Sequence, residues 1–509
     1  MFLNCVFLIY NTLSIVTNVT IISNKVFNST NIYCQSKLGL IGKGSQWKEY
    51  SGIEGLWLKY NEHMNVYFKN NLNNQPATIH AHGQQPPMYM DGVPDLDTSP
   101  ITKKNPYQIA FYKPLSGTFF IHSHWGYQHE LGVSAPLIIE DNPNHLPIFN
   151  TPYEYITSLI KKKKYVEVLM YLEDYGAYTD LVPNLNCTDT YSIYKYLKLK
   201  WKKDYPTFNF SNCMLPSTST DVKYRYHLAN NILYQNPKII HINNSNTYVR
   251  LRIINAAGFT NYNIQIPKEL QAILIATDSN WIKPYKNNYF WIATAQRLDL
   301  ILKFNISSIK SFTIYAIAEG LNNSGKSRII LTRNTNKSRI ILTRNISTST
   351  IIPKEVGYMG FWETRLKALY PLVTRPIYKN YTLNITGDNG FMSFNKKSWQ
   401  LRPLVKNFHN NPYPIKILPN KRICLKLVNY NSDNHPIHVH GHFFQLIEYN
   451  GKTINGPMRD TILVPRGNCN NITICLDTHK NQNNTKWPIH CHLSWHLVAG
   501  MLTSLEYNV

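Results

Sequence analysis

Pairs of histidines separated by one residue constrain this chain more than any other feature of its sequence. The chain has 18 histidines in 509 residues, and random placement would give about 0.6 H-x-H pairs. In an extended strand, residues i and i+2 lie on the same face, so each pair directs two imidazoles toward one point. We therefore expect strands that converge on a cluster of metal ions. The pairs are His80/His82, His122/His124, His438/His440, His440/His442 and His490/His492.

The last of these pairs encloses a cysteine. Cys491 lies between the two histidines of HCH, and in a strand its side chain must point to the opposite face. Two imidazoles, a thiolate and a weak axial thioether form the ligand set of a copper electron-transfer centre. His435, His496 and Met501 can complete such a set around the cysteine. One strand is therefore expected to touch two metal sites, which gives electrons a short covalent path between them.

Short strand-like segments make up most of the rest of the chain. Segments such as 165–171 and 247–254 are rich in Val, Ile, Leu and Tyr and are bounded by Asn, Pro or Gly, which is typical of β-strands. No long segment has the apolar period of a helix. At about 150 residues per domain the length allows three domains, and regularly spaced strands favour Greek-key sandwiches. The predicted fold class is all-β, with three β-sandwich domains.

The predicted domain organisation begins with a signal peptide at residues 1–23. Three domains are expected at 24–155, 156–325 and 353–509. A linker is predicted at 326–352, because the sequence KSRIILTRN occurs at 326–334 and again at 337–345. The period is too short for a solenoid unit, so we interpret the repeat as a tandem duplication in a surface linker.

The histidine motifs resemble those of the multicopper oxidases, the family of the laccases, ascorbate oxidases and ferroxidases. All four motifs occur in the order of that family, and other signatures fill most of the interval between them. The resemblance covers residues 30–509 and implies three cupredoxin domains. The other signatures are MDGVP at 90–94, GTFFIHSH at 117–124, RLRIINAAG at 250–258, ATD at 276–278, PMRDT at 457–461 and HCHLSWHLVAGM at 490–501.

The resemblance implies four bound copper ions, with ligands carried over residue by residue. The type 1 copper would be bound by His435, Cys491 and His496, with Met501 as the axial ligand. The type 2 copper would be bound by His80 and His438. The type 3 coppers would be bound by His82, His122 and His492 on one ion and by His124, His440 and His490 on the other. Histidines that match no ligand position are expected to have surface or supporting roles; they include His63, His129, His442 and His479.

Some positions depart from the family pattern. Ser494 follows HCHL, where relatives often carry an acid that is thought to help pass protons to the cluster. Asp91 in MDGVP matches the family's carboxylate near the type 2 copper, so Asp91 is expected to carry more of the proton relay. The same residue precedes Gly92, and Asp-Gly is also a common turn signal. The first motif reads HAHG, without the Trp of many relatives, and HWGYQHEL at 124–131 resembles no subfamily strongly.

The resemblance implies an oxidase in which a substrate reduces the type 1 copper one electron at a time and the trinuclear cluster reduces O2 to water. Two alternatives are a copper-binding electron-transfer protein without oxidase turnover and a scaffold that has lost its metals. The complete set of ligand residues favours the oxidase. The reductant is left open between diphenols or aromatic amines, ascorbate and ferrous iron. Asp433, Glu173 and Asp174 are candidate carboxylates for binding ferrous iron.

The charge balance limits the possible partners. The chain has 53 Lys and Arg against 29 Asp and Glu, a net charge of +24, and the excess reflects a shortage of carboxylates. The tight basic run Lys161–Lys164 has no interleaved aromatic residues, so no nucleic-acid partner is predicted. The basic surface mildly favours an anionic reductant. The predicted partners are O2 and a small-molecule or metal-ion reductant, and the protein is expected to be a monomer.

The N-terminal segment predicts export. An apolar stretch from Phe2 to Val19 is interrupted by polar residues, which is more typical of a signal peptide than of a membrane span. We therefore predict a secreted protein without a stable membrane anchor, and N-x-S/T sequons agree with a glycoprotein. Cys5 would leave with the signal. The six cysteines outside the signal and HCH would form up to three disulfides in an oxidising compartment, with Cys187 and Cys213 as the least demanding local pair.

Overall fold

The architecture is built almost entirely from β-strands. A computed structural model describes residues 17–25, 37–72, 75–94, 96, 98–178, 190–204, 222–243, 247–304, 311–320, 325–333, 362–388, 391–398, 414–466 and 469–507. Six sheets in this part of the chain pair into three sandwiches, which confirms the predicted all-β fold with three cupredoxin-like domains. Residues Tyr107–Tyr112 alternate between exposed and buried, as expected of a strand that covers a core with one face. Residues Gly117–Ser123 are buried along their whole length.

The first domain carries two of the histidine pairs. Its strands are β1 (Thr17–Lys25), β2 (Lys37–Lys43), β3 (Trp47–Tyr50), β4 (Ile53–Leu58), β5 (Met64–Asn70), β6 (Ile79–His82), β7 (Tyr107–Tyr112), β8 (Gly117–Ser123) and β9 (Ser134–Ile139). One sheet has the order β2-β1-β5-β7, and the other has the order β3-β4-β9-β8-β6. Apolar side chains from both sheets, including Val66, Phe119 and Leu137, form the core. The edge strand β6 and its neighbour β8 present the histidines.

Strand β1 overlaps the segment that was expected to be a signal peptide. It pairs antiparallel with β2 and parallel with β5, and Val19 and Ile21 are buried in the core. The structure therefore places the start of the first domain at or before Thr17, and not at residue 24. The physical reason is alternation: the apolar residues of this stretch face the core from one side of a strand. Residues 1–16 lie outside the described part of the chain.

The second domain contains no histidine pair. Its strands are β10 (Val166–Tyr178), β11 (Lys223–Ala229), β12 (Ile232–Leu233), β13 (Lys238–Ile242), β14 (Tyr248–Asn255), β15 (Tyr262–Gln265), β16 (Ile273–Thr277), β17 (Asn280–Lys286), β18 (Tyr289–Ile292), β19 (Arg297–Lys303), β20 (Ser311–Ala318) and β21 (Lys326–Arg333). The sheets have the orders β12-β11-β10-β14-β19-β16-β17 and β13-β21-β20-β15-β18. Two helices accompany them, α1 (Glu154–Lys161) and α2 (Thr190–Asp204).

Strand β21 corresponds to the first copy of KSRIILTRN, which was expected to lie in a surface linker. It pairs with β13 and β20, and Ile329 and Leu331 are fully buried in the core. The second domain therefore extends at least to Arg333 rather than ending at residue 325. Alternating apolar residues in the repeat allow it to form a core strand. The second copy, at 337–345, lies outside the described residues.

The third domain carries the remaining histidine pairs. Its elements are β22 (Ile377–Asp388), β23 (Phe391–Phe394), β24 (Ile415–Ile417), β25 (Arg422–Asn429), β26 (His435–Val439), β27 (Phe444–Tyr449), β28 (Lys452–Thr453), β29 (Met458–Arg459), β30 (Thr461–Val464), β31 (Asn471–Asp477), β32 (Lys486–Cys491), α3 (Ser494–Val498) and β33 (Leu502–Tyr507). The sheets have the orders β23-β22-β25-β31-β27-β28, with β29 beside β27, and β24-β33-β32-β26-β30. Short 3₁₀ helices occur at Met88–Met90, Lys268–Leu270 and Trp362–Arg365.

A disulfide bond joins Cys424 on β25 to Cys475 on β31, where the two residues lie directly opposite each other in the antiparallel ladder. Disulfides were expected from the cysteine count. The suggested pair of Cys187 and Cys213 falls outside the described residues.

Helix α2 connects the second domain to the third. The sequence indicated no helix in this region. Ile193, Tyr194 and Leu197 of α2 are buried in the same apolar cluster as Leu383 and Ile385 of β22, so this helix covers part of the third domain's sheet. Among the described residues, no helix is both long enough and apolar enough to span a membrane.

Candidate metal centres

Two pairs of neighbouring strands position the cluster histidines. Strand β6 pairs with β8 so that His80 lies opposite His122. Strand β26 pairs with β32 so that His438 lies opposite His490. Directly opposed residues in an antiparallel pair project from the same face, so each ladder presents its imidazoles on one side. The ladders belong to the first and third domains, and the rings of His80 and His438 meet across that boundary with centroids 5.9 Å apart.

One predicted ligand set converges on a single point. Nε2 of His490 lies 3.0 Å from Nε2 of His440 and 3.4 Å from Nε2 of His124. The three ligand atoms lie within 4.8 Å of one another, and all three residues are buried. Two imidazole nitrogens at such distances need a proton or a cation between their lone pairs. A metal ion bound by all three satisfies this requirement.

The second predicted set, His82, His122 and His492, is also brought together. The ring of His492 has its centroid 4.9 Å from that of His82 and 5.0 Å from that of His122. Nδ1 of His82, Nε2 of His122 and both ring nitrogens of His492 are buried without a hydrogen-bond partner among the described residues. Nε2 of His80 and Nε2 of His438, the third predicted set, are unpartnered in the same way. Buried polar atoms are rarely left so, and bound metal ions would satisfy one nitrogen on each of these rings.

Oxygen atoms hold the ring nitrogens that point away from the cluster. Such contacts fix the tautomer and the orientation of a metal-binding imidazole. Main-chain carbonyls approach Nδ1 of four rings: Asp91 for His80 (2.7 Å), Ser123 for His122 (3.0 Å), Asp460 for His438 (2.9 Å) and Cys491 for His490 (2.9 Å). Carboxylates approach two others: Asp91 Oδ2 for Nδ1 of His440 (2.8 Å) and Asp460 Oδ1 for Nε2 of His82 (3.2 Å).

A separate centre forms around Cys491, on the opposite face of β32. Its Sγ lies 3.6 Å from Nδ1 of His435 and 3.7 Å from Nδ1 of His496, and the two Nδ1 atoms are 3.1 Å apart. Met501 is fully buried, and its main-chain carbonyl accepts a hydrogen bond from the N–H of Cys491 (3.1 Å). Burial raises the pKa of the Cys491 thiol, so a bound metal would be needed to generate the thiolate.

Family models described as multicopper oxidase match residues 53–144, 219–342 and 376–509. Together these matches cover more than half of the chain. The chain belongs to the multicopper oxidase family. It is therefore an oxidoreductase of this type, and copper is the metal that the family uses. The residues fit copper, since imidazoles together with one cysteine are a copper donor set and the inward nitrogens of the cluster are otherwise unpartnered.

Other multicopper oxidases share most of the length of the chain. It is 22% identical over 508 residues to the iron transport multicopper oxidase fio1 of Schizosaccharomyces pombe, covering 91% of this chain and 72% of that protein. It is 24% identical over 500 residues to Laccase-3 of Botryotinia fuckeliana, covering 89% and 99%. In structure it is similar to Fet3p, described as a multicopper oxidase that functions in iron import, with a TM-score of 0.69, 19% identity, and coverage of 96% and 90%.

Several cluster histidines of this multicopper oxidase are held in the neutral form that binds metal. Burial, followed by neighbouring imidazoles, lowers the pKa of His82, His124 and His438 well below the usual range. Burial also lowers the pKa of His490 to about 4. A metal-binding imidazole must be unprotonated, so these rings do not have to lose a proton at neutral pH before they bind copper.

Asp91, predicted as a proton relay, contacts ligands from two domains. Its Oδ2 accepts a hydrogen bond from Nδ1 of His440 (2.8 Å), and its Oδ1 lies 3.2 Å from Nδ1 of His80. Gly92 has φ of 86°, and a Cβ there would lie 2.0 Å from the carbonyl oxygen of Ile79, so the turn requires glycine. Asp91 therefore forms the turn and also orients two ligands, while the relay role stays a prediction.

A buried ion-pair network that the sequence did not predict surrounds Asp460. Arg297 of the second domain donates from Nη1 to Oδ1 of Asp460 (2.7 Å). Asp278 accepts from the main-chain N–H of Arg297 (2.8 Å) and from Nη1 of Arg459 (3.1 Å). The network therefore connects the second domain to a residue that holds cluster ligands. Its carboxylates, Asp278 and Asp460, belong to the ATD and PMRDT motifs. These motifs were the sequence signal that could have pointed to the network.

The histidines without a predicted ligand position have other partners. His442 lies 2.7 Å from the Tyr507 hydroxyl through Nε2, His479 lies 2.7 Å from the Gly441 carbonyl, His129 lies 3.0 Å from the Ala256 carbonyl, and His63 stacks on Phe111 with centroids 5.7 Å apart. His129 also lies next to the cluster, since its ring centroid is 4.6 Å from that of His122.

Proposed function

We propose that the protein couples the one-electron oxidation of a reducing substrate at the Cys491 centre to the four-electron reduction of O2 to water at the histidine cluster, with four copper ions bound. The position of Cys491 carries this proposal. Its Sγ belongs to one centre, while a single peptide bond on each side joins it to His490 and His492 of the other. The chain thus provides a covalent route between the place where electrons enter and the place where O2 would be reduced.

The remaining residues prepare both sites for electron transfer. When bound, copper supplies the redox chemistry and the reaction with O2. The chain keeps the ligand rings buried and holds their outer N–H groups on carbonyl and carboxylate oxygens, so water is excluded and the rings are already oriented. Such preorganisation lowers the cost of rearrangement during the reaction.

We propose a diphenol or aromatic amine, ascorbate or ferrous iron as the reducing substrate. The relatives include proteins named for iron transport and a laccase. For this reason we keep phenolic substrates and ferrous iron together as candidates. Asp174 is not available as an iron ligand, because its carboxylate accepts N–H groups of Gly258 (2.7 Å) and Thr260 (2.8 Å). Glu319 is a better placed carboxylate. It lies 3.4 Å from Nδ2 of Asn434, the residue before a ligand of the Cys491 centre.

Oxygen uptake by the copper-loaded full-length protein tests the proposal. We expect an intense visible thiolate-to-copper band and consumption of one O2 for each four electrons from a good substrate, both absent in Cys491→Ser. Copper that is reduced by these substrates while no O2 is consumed would overturn the oxidase proposal in favour of an electron-transfer protein. If ferrous iron is the substrate, Glu319→Gln raises its KM and leaves the KM for a diphenol unchanged.

We also propose that the protein is exported. The apolar N-terminal stretch supports this, as does the disulfide between Cys424 and Cys475, because disulfides persist in oxidising compartments. Mass spectrometry of protein collected from the medium would find a mature N-terminus at or before Thr17. Retention of the full chain inside the producing cells would contradict the proposal.

A further inference from the structure

Glu130, in the stretch HWGYQHEL, is a buried carboxyl close to the metal cluster. The residue is only 4% exposed. Its Oε1 accepts a hydrogen bond from the Tyr224 hydroxyl. Its Oε2 is buried, and the polar side chains of Ser494 and Trp495 at the start of α3 interact with the carboxyl. A carboxyl buried among neutral groups and near another carboxyl, Asp174, is costly to ionise, which makes it a candidate functional group.

Oε2 of Glu130 lies beside Ser494 at the start of α3. A Cβ at Gly258 would lie 1.9 Å from Oε2 of Glu130 and 3.3 Å from Oγ of Ser494, so both atoms occupy the space that this glycine leaves open. The N–H of Ser494 donates to the Gly258 carbonyl (2.9 Å). Trp495 donates from Nε1 to the Tyr224 hydroxyl (2.8 Å). Helix α3 is therefore fixed against the carboxyl.

This contact adjoins the His122 and His492 side of the cluster. Ser494 comes two residues after His492. His129, the neighbour of Glu130 in sequence, has its ring centroid 4.6 Å from that of His122 and 5.6 Å from that of His492. Glu130 is therefore joined to this side of the cluster through its chain neighbour His129 and through Ser494.

The reaction under the proposed function consumes protons as well as electrons. The ligand imidazoles cannot supply these protons without leaving the metal, and the cluster is closed to bulk water. Two other carboxyls near the cluster orient ligands: Asp460 is paired with Arg297 and lies beside His82, and Asp91 accepts from His440. Glu130 lies instead on the His122 and His492 side, next to Ser494.

We propose that Glu130 is a proton-relay residue for O2 reduction, an assignment that rests on the proposed function. The protonated carboxyl passes its proton from Oε2 to Oγ of Ser494, and the hydroxyl proton of Ser494 moves on to the oxygen being reduced. Glu130 is left as a carboxylate and takes a new proton from bulk water. The electrons come from the reducing substrate through Cys491, so both relay side chains are unchanged after each cycle.

The surroundings of Glu130 favour its protonated form. Burial, followed by the negative charge of Asp174, raises the pKa of Glu130 well above the usual range, while hydrogen-bonding groups of Tyr224 and α3 act in the opposite direction. Tyr127 and Tyr175 are the other titratable groups that interact with it. Burial raises the pKa of these tyrosines too, so they stay neutral. A carboxyl that keeps its proton near neutral pH can act as a proton donor there.

Two unusual features of the sequence meet at this contact. Ser494 stands where relatives often carry an acid, and HWGYQHEL matches no subfamily strongly. In the structure these two segments touch, so a carboxyl from the loop after β8 reaches the place next to Ser494. Gly258, in the RLRIINAAG motif, provides the room for it.

The variant Glu130→Gln tests the relay in copper-loaded full-length protein. The measurement is the rate at which O2 reoxidises the fully reduced protein across a range of pH, together with copper content and the visible band. We expect copper content and the band to stay at wild-type levels, and reoxidation to slow by about 10²-fold, the usual contribution of a proton-transfer group. The wild-type rate should fall as pH rises through the pKa of Glu130, and the variant should lack this fall.

An exchange variant, Glu130→Ser with Ser494→Glu, returns a carboxyl to the same contact from the other side and should recover most of the rate. Glu506→Gln, a largely buried carboxylate on β33 that pairs with Lys486 (3.1 Å) outside this contact, serves as the matched control and should reoxidise like the wild type. A wild-type rate and pH profile in Glu130→Gln would overturn the relay while leaving the oxidase proposal intact. If Glu130→Gln does not fold, a folded, copper-loaded exchange variant that reoxidises slowly overturns it. Wild-type protein that consumes no O2 would refute the proposed function instead.

Discussion

Replacing Asp460 by asparagine tests whether the buried network between domains supports the metal cluster. The carboxylate accepts a hydrogen bond from Nη1 of Arg297 (2.7 Å) and lies 3.2 Å from Nε2 of His82. Arg297 is fully buried, and its other acceptors include the carbonyl oxygens of Thr118 (3.0 Å) and Ala295 (3.1 Å). The substitution therefore leaves a buried guanidinium without its closest counterion.

The structure sets the size of the effect. Removing one partner of a buried ion pair costs about 3–5 kcal/mol. Asp278 remains 3.6 Å from Arg297 and offsets part of the loss. We therefore expect the free energy of unfolding to decrease by about 3 kcal/mol, the lower end of this range. Loss of the carboxylate that holds His82 should also weaken copper binding by about 10–100-fold. Urea unfolding and copper retention against a chelator measure the two effects.

Asp477→Asn is the matched control. Asp477 also pairs with an arginine, Arg422 (2.6 Å), but its side chain is 33% exposed, and exposed pairs contribute about 0–1 kcal/mol. We expect this variant to lose little stability and no copper. If Asp460→Asn proved as stable as Asp477→Asn and retained copper equally well, the network would not support the cluster.

Three further predictions follow from the same geometry. Met501→Leu removes a weak thioether donor that stabilises Cu(II), so the potential of the Cys491 centre should rise while the blue band stays; an unchanged redox titration would show that the thioether is not a ligand. Asp91→Asn should reduce turnover severely with the blue band intact, because the carboxylate orients two ligands; wild-type turnover would contradict that role. A chain beginning at Thr17 should fold normally, whereas one beginning at Asn24 loses the buried side chains of Val19 and Ile21, each of which contributes about 1.5–3 kcal/mol. Equal stability of the two chains in urea would contradict the place of β1 in the core.

The convergence of the histidine pairs was predictable because it depends on local spacing, whereas the assignment of each ring to a particular copper came from the resemblance to the multicopper oxidases. H-x-H on a strand places both rings on one face whatever the rest of the fold does, and Cys491 between two histidines must face the other way. Strand patterns likewise predicted the β-sandwiches. The same local criteria gave boundaries that differ from the structure at the start of the first domain and at the end of the second, because β1 resembles a signal segment and β21 resembles a repeated linker until their pairing partners are known.

Contacts between distant residues could not be predicted from the sequence. Asp460 holds His82 across 378 residues of chain, and nothing in the spacing of either residue indicates the other. The approach of Glu130 to Ser494 depends on how the first and third domains meet and on the room left by Gly258. The family motifs marked several of these positions without indicating what each side chain does.

The proposed function requires Cys491 to belong to a copper centre distinct from the histidine cluster, although one strand carries ligands of both. The decisive experiment compares the copper content of Cys491→Ser with that of the wild type, with the visible spectrum recorded on the same samples. We expect the variant to lose the blue band and one of the four coppers and to keep the coppers of the cluster. A variant that remains blue with the wild-type copper content, or one that loses the cluster coppers while keeping the band, would contradict it.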